Sequence, residues 1–152
     1  MQKRRGDQGF TLIELLVVIA IIGLLSSVVL VSLGTARLKS RDARRVADVG
    51  ELRKALEIYN NDNRGRYPTP NASPYYLTGV TGLTPTYIAT LPKDPSIAIA
   101  GTGNDIRYYT DATRSTGYSI AIYPEKTGAW CRYTIGNTYP AAWSAYPACE
   151  QI

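Results

Sequence analysis

Gly9-Phe10-Thr11-Leu12-Ile13-Glu14-Leu15-Leu16 decides how this chain is read. A charged leader, Met1 to Gly9, carries Lys3, Arg4 and Arg5 and runs directly into an apolar segment. One carboxylate, Glu14, lies near the start of that segment, and from Leu15 to Ala36 there is no charged residue. An uncharged apolar run of this length predicts a membrane-spanning helix. Glu14 then needs a partner, because an ionised carboxylate at the centre of such a helix costs about 2.5–3.5 kcal/mol.

Outward from this stretch, the helical pattern continues. Leu38, Val46, Val49, Leu52, Leu56 and Tyr59 recur mostly at three- and four-residue spacing, with polar residues between them. Arg44 with Asp48, and Arg53 with Glu57, form i,i+4 pairs of modest worth. No proline occurs between Phe10 and Tyr67. The simplest reading is one helix from Phe10 to about Asn61, roughly 75 Å long at 1.5 Å per residue. Its first half, residues 10–36, is apolar all round, and its second half, residues 37–62, is amphipathic.

Asn60-Asn61-Asp62-Asn63-Arg64-Gly65-Arg66-Tyr67-Pro68 supplies the chemistry of a helix end. A loop region with Pro70, Pro74, Gly79, Gly82 and Pro85 follows, and Leu83 to Leu91 is expected to hold a short helix or turn. Ile106–Thr110, Tyr118–Tyr123 and Ala129–Ile135 read as strands, rich in Tyr, Ile, Trp and Thr and separated by turn residues. The expected fold class is therefore α+β: a long N-terminal helix with a small antiparallel sheet packed on its second half. Residues 63–152 make the head, a single modest domain.

The 152 residues carry a formal charge of +5, and removing residues 1–9 leaves +3. That is a weak bias towards acidic partners and not a nucleic-acid signature. There is no histidine, which excludes Ser/His/Asp catalysis and His-based zinc sites. No phosphate-binding glycine loop or Cys-x-x-Cys motif is present. Asp94, Asp105 and Asp111 are scattered and lack the dense oxygen spacing of a calcium loop. No enzyme activity or cofactor is expected, and calcium is left open without being predicted.

Gly9-Phe10-Thr11-Leu12-Ile13-Glu14-Leu15 resembles the processing motif of type IV prepilins and type II secretion pseudopilins. The resemblance implies cleavage between Gly9 and Phe10 by a membrane peptidase on the cytoplasmic face, and N-methylation of Phe10. It implies that residues 1–9 are removed, while residues 10–36 anchor the subunit and later form a filament core. Glu14 would pair with the N-terminal amine of a neighbouring subunit during assembly. Tyr59–Thr69 and Tyr87–Pro95 are similar to stretches of major pseudopilins. Many members have a proline near Val31; its absence here removes the cause of a sharp kink. The small residues Gly23, Ser26, Ser27 and Gly34 suit either helix packing or local unwinding.

Cys131 and Cys149 are the only cysteines, and in an exported head they suggest one disulfide, with two free thiols as the alternative. Many type IV pilins bound a C-terminal loop with a disulfide in this way, whereas major pseudopilins usually hold that region with an acidic, glycine-rich calcium loop, which this chain lacks. Expected partners are copies of the chain and related minor pilins, the prepilin peptidase, and an inner-membrane platform with its ATPase. The expected location is a single-pass membrane protein, N-terminus in the cytoplasm and head outside it, then an envelope or surface filament.

Three other readings stay open: a DNA-uptake or adhesion pilin, a simple single-span surface domain, and a secretory signal peptide. Gly34-Thr35-Ala36 is a poor cleavage site for the last, after an overlong apolar core. Arg37, Lys39, Arg41, Arg44 and Arg45 follow the span and run against the positive-inside rule. They read as a solvated or headgroup-facing helix surface, or as cations that meet acidic groups of adjacent subunits.

Overall fold

The computed structural model describes residues 10–69, 75–96, 106–111, 113–114, 116–136 and 139–149. One continuous helix, α1 (Leu12–Asp62), begins two residues after Phe10 and ends one residue past Asn61. The chain divides into two compact units, Met1–Arg37 and Leu38–Ile152.

In the first unit α1 carries its apolar side chains outward. Ile13, Leu24 and Val31 are each at least 70% exposed, and none of the most apolar 18-residue window is buried. The polar side chains inside this stretch turn back onto the helix. Ser27 donates to the Leu24 carbonyl at 2.7 Å and Thr35 to the Val31 carbonyl at 3.5 Å. Back-bonding of this kind lets hydroxyls sit in an apolar helix without unsatisfied donors.

The second unit is built on the remainder of α1. Val49, Leu52 and Leu56 form one buried stripe, at the three- and four-residue spacing that keeps side chains on one helix face. They share a core with Tyr67, Leu77, Leu83, Ile106 and the sheet. The sheet has three antiparallel strands in the order β1 (Arg107–Thr110), β2 (Tyr118–Ile122) and β3 (Cys131–Ile135). Register places Tyr108 opposite Ile120 and Ile120 opposite Tyr133. Tyr108, Tyr118, Ile120 and Ile122 therefore fall on the face that joins the α1 stripe. The α+β class is as the pattern implied.

The end of α1 follows its residue chemistry. Asn63 and Gly65 donate their N–H groups to the carbonyls of Tyr59 and Asn60, and the Asn63 amide adds a second bond to Tyr59 at 2.9 Å. Arg64 and Gly65 both take positive φ, closing the last turn as such caps do. Leu83 to Leu91 is a turn rather than a helix; Tyr87 and Ile88 bond back to the Leu83 carbonyl and, with Leu91, pack on the core.

All three strands are shorter than expected, β1 by one residue at its start. β2 ends at Ile122 and β3 begins at Cys131. The intervening backbone N–H groups of Glu125 and Lys126 bond to the Asp42 carboxylate instead of extending the ladder. Where β2 begins and β3 ends, Gly117 and Gly136 come face to face at positive φ. A Cβ on Gly117 would stand 1.8 Å from the Ile135 carbonyl oxygen.

The second face of the sheet is covered too. Ser119 and Ala121 point away from α1 yet are fully buried. Residues 139–149, including the 3-10 turn Ala141–Trp143, supply the cover. Trp143 is buried and lies 6.3 Å from the Tyr109 ring. Much of the tyrosine content is thus spent on the two faces of this sheet.

Candidate functional site

Three groups of residues carry the chemistry. The first is the start of α1. Gly9 and the rest of the leader lie outside the described residues. Phe10 is 90% exposed. The Glu14 carboxylate accepts hydrogen bonds from the Thr11 N–H at 2.9 Å and the Thr11 hydroxyl at 2.7 Å. The Glu14 N–H donates in turn to the Thr11 hydroxyl oxygen at 3.3 Å. This is a capping box, Thr at N-cap and Glu at N3, which satisfies two N–H groups that a helix start leaves open. Thr11-x-x-Glu14 carries that pattern in the sequence itself, so the first partner of the Glu14 carboxylate is three residues away in the same chain. A carboxylate has about four acceptor sites, so bonding to Thr11 leaves capacity for an ammonium.

The second is an ion cluster, and it corrects the reading of the basic run after the span. Arg45 is fully buried. Its guanidinium donates to Asp42 at 2.6 Å, to both oxygens of Asp94 at 2.7 Å, and to Glu125 at 3.0 Å. Arg41 grips Glu125 through two further bonds. Arg45 and part of Arg41 are therefore neither solvated nor left for neighbouring subunits. The cluster fastens the loop at Asp94 and the β2–β3 turn onto α1 within one chain. The hydrogen bond from Arg41 is the main influence on the Glu125 carboxyl, holding it down to about 2 against partial burial, with Arg45 assisting.

The signal for this cluster lies in phase, not in hydropathy. Asp42 and Arg45 precede Val49, Leu52, Leu56 and Tyr59 at alternating three- and four-residue steps, so they occupy the first two positions of the buried stripe. Of the residues expected in that stripe, Val46 is out of phase and exposed, whereas Leu38 is in phase, four residues before Asp42, but precedes the buried part of the stripe and is exposed as well. The Arg44–Asp48 pair forms at 3.8 Å on the surface.

The third group is the C-terminal cover. Cys131 and Cys149 are joined by a disulfide, 18 residues apart. Beside it, Ala148 bridges Arg132 in parallel, with the Arg132 N–H bonded to the Pro147 carbonyl and the Cys149 N–H to the Arg132 carbonyl. The Arg132 guanidinium stacks on the Tyr139 ring at 4.2 Å and gathers the carbonyls of Trp143 and Tyr146. A disulfide and one fixed cation thus organise a stretch with almost no regular structure. Among the described residues no group of His, Cys, Asp and Glu could hold a metal ion, and Asp105 lies outside them.

Comparison with known proteins fits this arrangement. Residues 4–30 match the family described as "Prokaryotic N-terminal methylation motif". The chain is 34% identical over 145 residues to type II secretion system core protein G of Vibrio cholerae, covering 90% of this chain and 95% of that protein. It is 40% identical over 106 residues to the protein of that name in Aeromonas hydrophila, 62% of this chain and 71% of that one. A probable minor fimbrial protein of Dichelobacter nodosus is 30% identical over 144 residues, 86% of this chain and 84% of that one. No solved structure gives a significant match. A likeness that runs almost end to end, over the motif, the long helix and the head alike, makes this chain a member of the type II secretion core protein G family, the pseudopilins.

Proposed function

We propose that the chain is cut between Gly9 and Phe10, methylated on Phe10, and built into a helical pseudopilus through residues 10–36 of α1. The chain is a structural subunit and not a catalyst. The observation that carries the assembly reading is the first unit of α1, whose apolar surface is exposed on every side. A surface of that extent must be covered by lipid or by other copies of itself.

Before assembly the anchor lies in the membrane with Phe10 at the cytoplasmic side and the head beyond the opposite face. An assembly platform and its ATPase draw the subunit out, and the helix exchanges lipid for neighbouring helices. Glu14 guides this step. Cleavage leaves Phe10 with an ammonium, and a Glu14 carboxylate held in place by Thr11 is a preformed acceptor for the ammonium of the next subunit. The attraction is much stronger in an apolar bundle than in water.

The intact mass of the chain after co-expression with a prepilin peptidase tests processing. A chain beginning at Phe10 and one methyl heavier is expected. A full-length chain, with the peptidase active on a control substrate, would remove the reading. A second reading, a surface fimbrial subunit, is favoured by the Cys131–Cys149 bond and by the similarity to the Dichelobacter protein. Loss of secreted enzymes on deletion points to the pseudopilus, and loss of extracellular fibres points to the fimbria.

A further inference from the structure

The ion cluster sorts the cations that follow the apolar run. Arg45 and Arg41 are engaged inside the head by three carboxylates. Lys39 stays exposed, and so does Arg44, whose side chain is 71% accessible despite its long contact with Asp48. The same cluster brings two more cations to this level of α1. Asp94, gripped by Arg45, is preceded by Lys93; Glu125, gripped by Arg41 and Arg45, is followed by Lys126, whose N–H is held by Asp42. Both lysine side chains are exposed. Buried carboxylates thus dock two loops whose outward residues are basic.

The charge count has the same bias. Residues 37–48, 93–94 and 125–126 hold seven cations and four carboxylates, a net +3. That equals the whole net side-chain charge of the chain without residues 1–9, so the rest of the mature chain sums to zero. Along the chain, Lys39 comes three residues after Ala36, the last residue of the uncharged run.

We infer that Lys39, Arg44, Lys93 and Lys126 form a basic face that rests on anionic phospholipid headgroups at the non-cytoplasmic side of the membrane until the subunit is extracted. The inference rests on the membrane-anchored reading of residues 10–36. Its occupant is argued from position and charge. The first non-apolar residues after a span lie at headgroup depth, and each cation near an anionic surface gains from it until a Debye length, about 10 Å at 0.1 M salt, screens it. Lys54 is an internal control, exposed on the same helix but 15 residues, roughly 22 Å, beyond Lys39.

The test uses the full chain in nanodiscs of phosphatidylcholine alone or of phosphatidylcholine with phosphatidylglycerol. Lysine acetylation by a water-soluble reagent is followed by mass spectrometry. Lys39, Lys93 and Lys126 are expected to react about fivefold more slowly in the anionic discs, with the difference lost in high salt and Lys54 unchanged. The double variant Lys93→Glu/Lys126→Glu, its melting temperature checked against the parent, should lose most of the protection at Lys39. Equal rates in the two lipids would overturn the inference. So would protection that follows the number of chains per disc in either lipid, which would assign the face to a neighbouring copy. A chain that fails to co-purify with discs of either kind would instead refute the anchor itself.

Discussion

A fully buried arginine with three carboxylates around it is the residue on which the head's geometry turns. Arg45→Ala would leave Asp42 and Asp94, both almost wholly buried, without their cation. Breaking a buried ion pair on one side costs about 3–5 kcal/mol. The lower end is expected here, since Arg41 and Glu125 border the cluster on its solvent side. Chemical denaturation of the full chain in detergent checks this. Glu125 adds a pH dependence. Its folded pKa of about 2 lies below its ordinary value of 4.5. Its contribution is therefore complete above about pH 4.5 and is lost as pH falls towards 2. An acid titration of the melting temperature should show that decline, and Glu125→Gln should flatten it; an unchanged slope would contradict the assignment. These residues were hard to see in the sequence because a search for apolar periodicity skips charged positions, even when, like Asp42 and Arg45, they sit in phase with the core. Glu14 stands out in the sequence for the opposite reason, as a lone charge in an apolar run.

At the scale of elements, the helix was legible almost to the residue, since its apolar run, missing prolines and Asn-Gly terminus all agree. The strands were legible in place but not in length, because the turn between the end of β2 and the start of β3 is held by Asp42, 83 positions away from Glu125. The C-terminal cover has no periodicity to read. Its order comes from the disulfide, Arg132 and stacked rings such as Trp143 on Tyr146. Replacing both Cys131 and Cys149 with serine should therefore cost about 3 kcal/mol, as expected for a closed loop of this size. Reductant should lower the melting temperature of the parent in the same way, while a calcium chelator should leave it unchanged. A chelator-induced drop would mean that a bound cation shares the task. Gly117→Ala should destabilise the head more strongly than its lost flexibility alone implies, because its Cβ meets the Ile135 carbonyl; thermal melting against the parent measures this.

The whole molecule joins a folded head to an apolar helix that cannot remain exposed in water. The head pairs its buried charges within the Arg45 cluster and covers its sheet faces with α1 and the C-terminal stretch. The exposed large apolar side chains are concentrated in residues 10–36. That division is what a subunit needs if it is to leave a membrane without unfolding. Glu14→Ala should leave insertion intact, since it removes the only charge from the apolar stretch, yet abolish ordered assembly. Membrane fractionation checks the first half of that expectation. Assembly through residues 10–36 and Glu14 is tested by electron microscopy of sheared fractions from cells with a type II secretion apparatus whose own core protein G has been replaced by this chain. Helical fibres containing the processed chain are expected, absent from the Glu14→Ala strain. Processed wild-type chain that stays wholly in the membrane, with no fibres formed, would contradict it.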